Sequence, residues 1–147
     1  MRISVAADEL TGVALELPEQ LERRGHQPIL HGAFVEGERP DWAWASETAA
    51  RDVAEGRAEQ AIVACWTGTG ASMAANKVPG VRAALCGDAA TADGARRWND
   101  ANVLALSLRL TSPAELEEIL DAWFAGGSSD QPDDVENVAH LGQIERS

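Results

Sequence analysis

Ala61-Ile62-Val63-Ala64-Cys65-Trp66-Thr67-Gly68-Thr69-Gly70-Ala71-Ser72-Met73-Ala74-Ala75-Asn76-Lys77 passes from an apolar run, through a turn of small residues, into a helix-like stretch. The run is continuous rather than alternating, as in a strand covered on both faces. A strand of that kind lies inside a parallel sheet, and the helix that follows it is the crossover to the next strand. The segment is therefore one βα unit.

Similar units lie on either side. Short apolar runs at residues 3–7, 27–31, 81–85 and 102–106 join the run at 61–65, and helix-like stretches fall at 13–24, 44–55, 72–77, 89–97 and 113–124. Gly25 and Gly56 stand where helices end, and Ser112-Pro113 opens the last one with a cap and a first-turn proline. Strand and helix alternating five times predict an α/β fold. Residues 1–125 then form a single three-layer α/β/α domain around a five-stranded parallel, Rossmann-like sheet. Residues 126–147 open with Gly, Ser, Asp and Pro, and are expected to be an acidic tail, mobile or docked on a partner subunit.

Composition narrows the functions. The 147 residues carry 12 basic and 24 acidic side chains, a formal charge of −12. Nucleic acids and anionic membranes are bound through Lys and Arg, so neither is an expected partner. No apolar run is long enough to cross a bilayer, and the opening run meets Asp8 too soon for a secretory segment, so a cytoplasmic location is expected. Cys65 and Cys86 lack metal-ligand spacing, and His26, His31 and His140 are scattered and read as solvated loop residues. The expectation is no metal and no cofactor.

In an open parallel sheet, ligands bind beyond the carboxyl ends of the strands, near the point where strand order reverses. Asp8-Glu9, the 65–72 loop, Cys86-Gly87-Asp88 and Trp98-Asn99-Asp100 are the segments assigned to that rim. Thr67, Gly68, Thr69, Gly70 and Ser72 make a turn that points backbone N–H groups at an anion, with a plain tight turn as the alternative. The turn lacks the third glycine of a dinucleotide fingerprint and the Gly-Lys-Ser/Thr of a P-loop. Cys65, facing that helix start, sits where a thiolate is favoured and could move a proton. Its alternative is a small buried hydrophobe ending a strand. Cys86 has no cradle after it and reads as structural.

The stretch Cys65 to Cys86, with its Cys-Trp-Thr-Gly-Thr-Gly-Ala-Ser and Ala-Asn-Lys-Val-Pro-Gly-Val-Arg segments, resembles the signature of the type B ribose-5-phosphate isomerase family, which includes the galactose-6-phosphate isomerase subunits. Asn99-Asp100-Ala101-Asn102-Val103-Leu104 resembles that family's second motif, Arg109 falls at a family arginine, and the likeness spans residues 1 to about 125. The resemblance implies a cofactor-independent aldose–ketose isomerase. It implies a homodimer, with tetramers left open, whose sites lie at the subunit interface. Cys65 would be the base, the N–H groups of residues 67–72 would hold a cis-enediolate oxygen, Thr67 would relay a hydroxyl proton, and Asp8 and Asn99 would bind substrate hydroxyls.

The departures bear on substrate. Glu9 stands where the family has a histidine facing phosphate, Trp98 stands where a histidine opens the sugar ring, and Trp66 replaces a glycine after the base. Asp130, Asp133 and Asp134 occupy the segment that supplies phosphate-clamping arginines. Arg39-Pro40-Asp41 replaces a Tyr-Pro-Asp motif, so Arg39 becomes a candidate for an anionic or hydroxylated substrate group. The expected substrate is a small sugar or hydroxy-carbonyl compound other than the usual phosphorylated pentose. Epimerisation or elimination through the same intermediate is one alternative, and a non-catalytic sugar-binding subunit is another. Some of Trp42, Trp44, Trp66, Trp98 and Trp123 are expected in an apolar subunit interface.

Overall fold

All six residues of Gln60–Cys65 are buried, and this strand lies at the centre of a parallel sheet. The computed structural model describes residues 1–147. Its strands are β1 (Arg2–Ala7), β2 (Gln27–Gly32), β3 (Gln60–Cys65), β4 (Ala83–Leu85) and β5 (Val103–Ser107), in the spatial order β2-β1-β3-β5-β4. The helices are α1 (Leu17–Arg23), α2 (Trp42–Ala54), α3 (Thr69–Asn76), α4 (Ala89–Asn99), α5 (Pro113–Ala125) and α6 (Pro132–Arg146), with a 3-10 turn at Gly12–Glu16. The chain is thus an α/β domain with one five-stranded parallel sheet.

Alternate residues of each central strand feed two cores. Ile3, Val5, Ala7, Ile62, Leu104 and Leu106 pack with Leu17, Leu21, Leu116, Ile119, Leu120 and Trp123 from α1 and α5. The opposite core is small: Ala6, Ala61, Val63 and Ala105 meet Ala45, Ala49, Ala50, Ala71 and Ala75. Alanines there let α2 and α3 approach the sheet closely. Strand order reverses between β1 and β3, so the crevice of this fold lies between Ala7 and Cys65.

Boundaries differ from the sequence reading for local reasons. Pro18 separates the 3-10 turn from α1, where one helix was expected from residue 13. Helix α3 starts at Thr69 rather than 72, because Gly68 takes a left-handed conformation (φ 77°) as its N-cap. A Cβ at residue 68 would lie 2.5 Å from Leu85 Cδ1 and 2.8 Å from the Leu106 carbonyl carbon, so only glycine fits. Strand β4 is three residues long because the Arg82 and Ala83 N–H groups are taken by the side chains of Asn102 and Asn76, each at 2.8 Å.

The tail holds an element the sequence reading did not assign. Helix α6 has no buried residue, although Val135, Val138, Leu141 and Ile144 recur at every third position along it. Its ends were readable: Pro132 in the first turn, Asp133 and Asp134 beside it, and Arg146 in the last turn. It rests near α4, and the Glu145 carboxylate accepts the Gly80 N–H at 3.1 Å. No helix is long and apolar enough to cross a membrane.

Candidate active site

Between the ends of β1 and β3 lies an open cleft of about 270 Å³, lined by Asp8, Trp42, Cys65, Trp66, Thr67, Thr69 and Gly70. Two other surface depressions, of about 440 and 450 Å³, are larger, but only this one joins the topological crevice to a nucleophile and a helix start. Cys65 is the last residue of β3 and only 5% exposed. Its carbonyl accepts the Leu108 N–H at 3.0 Å, and the Trp66 carbonyl accepts the Arg109 N–H at 2.9 Å and the Ser107 hydroxyl at 3.1 Å. Three bonds from the end of β5 therefore fix the backbone that carries the thiol.

Beyond Gly68 the first turn of α3 leaves the N–H groups of Thr69, Gly70 and Ala71 without an intrahelical acceptor, as at any helix start. They form the cradle expected from the sequence, with one change: the Ser72 N–H already donates to the Gly68 carbonyl at 3.0 Å. Ser72 closes the turn and is not in the cleft lining. The hydroxyls of Thr67 and Thr69 are 2.7 Å apart, one donating to the other. Cys86 is buried with its Sγ 3.6 Å from the Ala84 carbonyl, and burial, aided by Asp88, pushes its thiol up to about 11. That inert thiol suits a structural role.

Asp8 follows β1 directly, and its Oδ1 is buried without a hydrogen-bond partner. Burial first, then the charges of Glu9 and Asp41, raise its carboxyl above the usual range against the pull of backbone N–H bonds. A buried acceptor without a donor is costly, and a substrate hydroxyl would satisfy it. Glu9 is half-buried beside it and outside the lining of the cleft.

Three expected site residues lie outside the lining of this cleft within one chain. Arg39 has its Nε 2.7 Å from Asp41 Oδ2 and its guanidinium carbon 3.4 Å from the Trp44 ring centre. Trp98 and Asn99 end α4 and lead into the amino end of β5, so within one chain they lie at the opposite edge of the sheet from Cys65. That separation is at least about 13 Å at 3.3 Å per strand residue. They precede β5, and what precedes a strand of a parallel sheet lies at its amino edge, so assigning them to the carboxyl rim was at odds with the predicted parallel sheet. Among the tryptophans, Trp123 is core, donating Nε1–H to Gln60 at 2.9 Å, while Trp42, Trp44, Trp66 and Trp98 are 45–56% exposed.

Trp42 is the residue the sequence reading missed as part of the site. It starts α2 and packs over Gly70, where a Cβ would meet three indole atoms at 2.8–3.2 Å. The available signal was an aromatic directly after Arg39-Pro40-Asp41, at the start of a helix following β2. Arg109 is exposed on the loop after β5 and makes no ion pair; it is the cation nearest the Trp66 backbone. His31 is likewise not a loop residue, since it lies on β2 between two carboxylates.

Comparison with known proteins agrees with this geometry. The model of a family described as Ribose/Galactose Isomerase matches residues 3–141. The galactose-6-phosphate isomerase subunit LacB of Clostridium acetobutylicum is 36% identical over 124 residues, covering 84% of this chain and 71% of that protein. The D-erythrulose-4-phosphate isomerase of Pectobacterium atrosepticum is 33% identical over 134 residues, 88% of each chain. The solved ribose-5-phosphate isomerase B of Clostridium thermocellum superposes with a TM-score of 0.90 at 32% identity, covering 99% of this chain and 98% of that one.

Proposed function

The chain belongs to the ribose/galactose isomerase family, whose members are aldose–ketose isomerases of sugars, and from that premise we propose that it isomerises a small sugar through a cis-enediolate. The observation that carries this reading is the meeting in one cleft of Cys65 with Thr69 and Gly70, whose N–H groups have no intrahelical acceptor. Cys65 as thiolate takes the proton from the carbon beside the carbonyl. The C–H electron pair becomes the enediolate double bond, the carbonyl π pair moves onto oxygen, and the cradle holds the resulting oxyanion. The thiol then returns the proton to the neighbouring carbon while Thr67 relays a proton between the two hydroxyl oxygens. Asp8 accepts a substrate hydroxyl. No cofactor takes part, because the reaction moves one proton and one pair of electrons within the substrate.

The substrate we infer is not a phosphorylated pentose. Asp8 lines the cleft, Glu9 and Asp41 lie close enough to raise its carboxyl, and Arg39 is already engaged by Asp41 and Trp44. A phosphate dianion is normally held by several charge-assisted bonds, and here only Arg109 is free nearby. A free or uncharged sugar suits the cleft better. The site is completed in a homodimer, where Trp98 and Asn99 of one subunit reach the cleft of the other and α6 docks against the partner.

The test is deuterium wash-in at the carbon beside the carbonyl, with free tetroses, pentoses and hexoses against ribose 5-phosphate. Wash-in with a free sugar, and ribose 5-phosphate turnover about a hundredfold weaker, is expected from one or two missing charged contacts of roughly 1.5–3 kcal/mol each. Efficient ribose 5-phosphate isomerisation overturns the substrate assignment. Absence of wash-in from every sugar favours a non-catalytic subunit.

A further inference from the structure

A buried polar chain lies behind the cleft, and nothing in the chemistry above uses it. Asp52 of α2, whose side chain is 7% exposed, accepts from the Ser4 hydroxyl at 2.9 Å and from Arg57 Nε at 2.7 Å, and its Oδ2 lies 2.6 Å from His31 Nε2. The other ring nitrogen, Nδ1, lies 3.2 Å from Glu38 Oε1, and Glu38 Oε2 accepts the Gly32 N–H at 2.7 Å. Glu38 thus closes the 32–38 segment back onto the end of β2, where the Val35 N–H also donates to the Gly32 carbonyl. Gly32 is pressed against both sides of the site. Its Cβ, if present, would lie 2.6 Å from the Ala7 carbonyl, one residue before Asp8, and 2.8 Å from Ala45 Cβ in the first turn of α2.

We propose that His31 is a positioning residue for the isomerisation: through Glu38 it latches the β2–α2 loop so that Trp42 stays against the cradle at Gly70. This rests on the enzymatic reading above, and its test separates the two. The latch needs a proton. Burial disfavours the Asp52 carboxylate, but the bonds from Arg57, His31 and Ser4 outweigh it and hold the carboxyl below its ordinary range. Asp52 therefore stays an acceptor and keeps a proton on Nε2. Nδ1 then attracts the Glu38 carboxylate only when a second proton sits between them; without it, a lone pair faces an anion. The groups facing the ring are Asp52 from α2 and Glu38 from the loop, with Arg57 and Ser4 one contact further on.

Glu38→Gln distinguishes this from a merely structural role. Its amide can donate to a ring without the second proton while its oxygen still accepts the Gly32 N–H, so both contacts of the latch are kept. Glu38→Ala removes both contacts. In Glu38→Ala, amide hydrogen exchange over residues 32–42 should quicken and kcat/KM should fall roughly tenfold, whereas Glu38→Gln should match the wild type near neutrality. Exchange is readable even without a substrate, so failure of the isomerase reading leaves the latch testable. Unchanged exchange in Glu38→Ala, or a loss of kcat/KM in Glu38→Gln as large as in Glu38→Ala, overturns the proposal.

Discussion

Trp42 and Gly70 are in face-to-backbone contact: three atoms of the Trp42 indole occupy the space that a Cβ at residue 70 would need, the nearest at 2.8 Å. This contact joins the first turn of α2 to the first turn of α3, so the aromatic wall and the N–H cradle move as one piece. Because the cradle is backbone, its aim depends on what packs against it.

Gly70→Ala should therefore be costly beyond its size. The added methyl has to displace either the indole or the helix start, a strain of about 1–3 kcal/mol. We expect kcat/KM to fall by at least roughly tenfold with a small loss of Tm, since the strain falls on the cradle. In a double-mutant cycle with Trp42→Ala, the combined loss should be smaller than the sum, because removing the indole makes room for the methyl. Additive losses would show that the two residues act separately.

Cys65→Ala should abolish both turnover and deuterium wash-in while leaving the fold intact. The substitution removes one small buried sulfur at the end of a strand whose backbone is held from β5. The loss of stability should be about 1 kcal/mol. Wild-type activity in this variant would mean that another group takes the proton.

Asp8→Asn tests the desolvated carboxyl through pH. The folded state raises the Asp8 carboxyl above its unfolded value, so the folded protein binds the proton more tightly. Ionised Asp8 therefore opposes folding above the folded value, and the penalty is relieved as pH falls through it. Asp8→Asn should raise Tm at neutral pH, with the gain shrinking on acidification, and should lower activity by losing the hydroxyl acceptor. A Tm below the wild type at neutral pH would show that Asp8 gains more from its surroundings than burial takes away.

Chelation should leave activity unchanged. The groups gathered at the cleft are one thiol, two threonine hydroxyls, backbone N–H groups and the Asp8 carboxylate, which do not make a ligand set for a divalent ion. Activity lost in EDTA and restored by a divalent cation would point to Asp8 and Glu9 as ligands.

The sequence by itself determined the βα alternation, the five strands and the place of Cys65 at a strand end before a glycine turn, because these rest on local features: apolar runs, helix punctuation and a run of small residues. Asp8 was legible for the same reason, as the first polar residue after β1. The sequence also held the place of Trp98 and Asn99, which were read onto the wrong rim: a residue that precedes a strand of a parallel sheet lies at the amino edge, opposite Cys65. Sequence could not show that Arg39 pairs with Asp41 and stacks on Trp44, nor that His31 lies between Asp52 and Glu38. Those partners come from side-chain directions and from strands and helices far apart along the chain. Trp42 joined the site for the same reason: its wall exists only because the small alanines of α2 and α3 let the two helices pack closely enough to bring an indole onto Gly70.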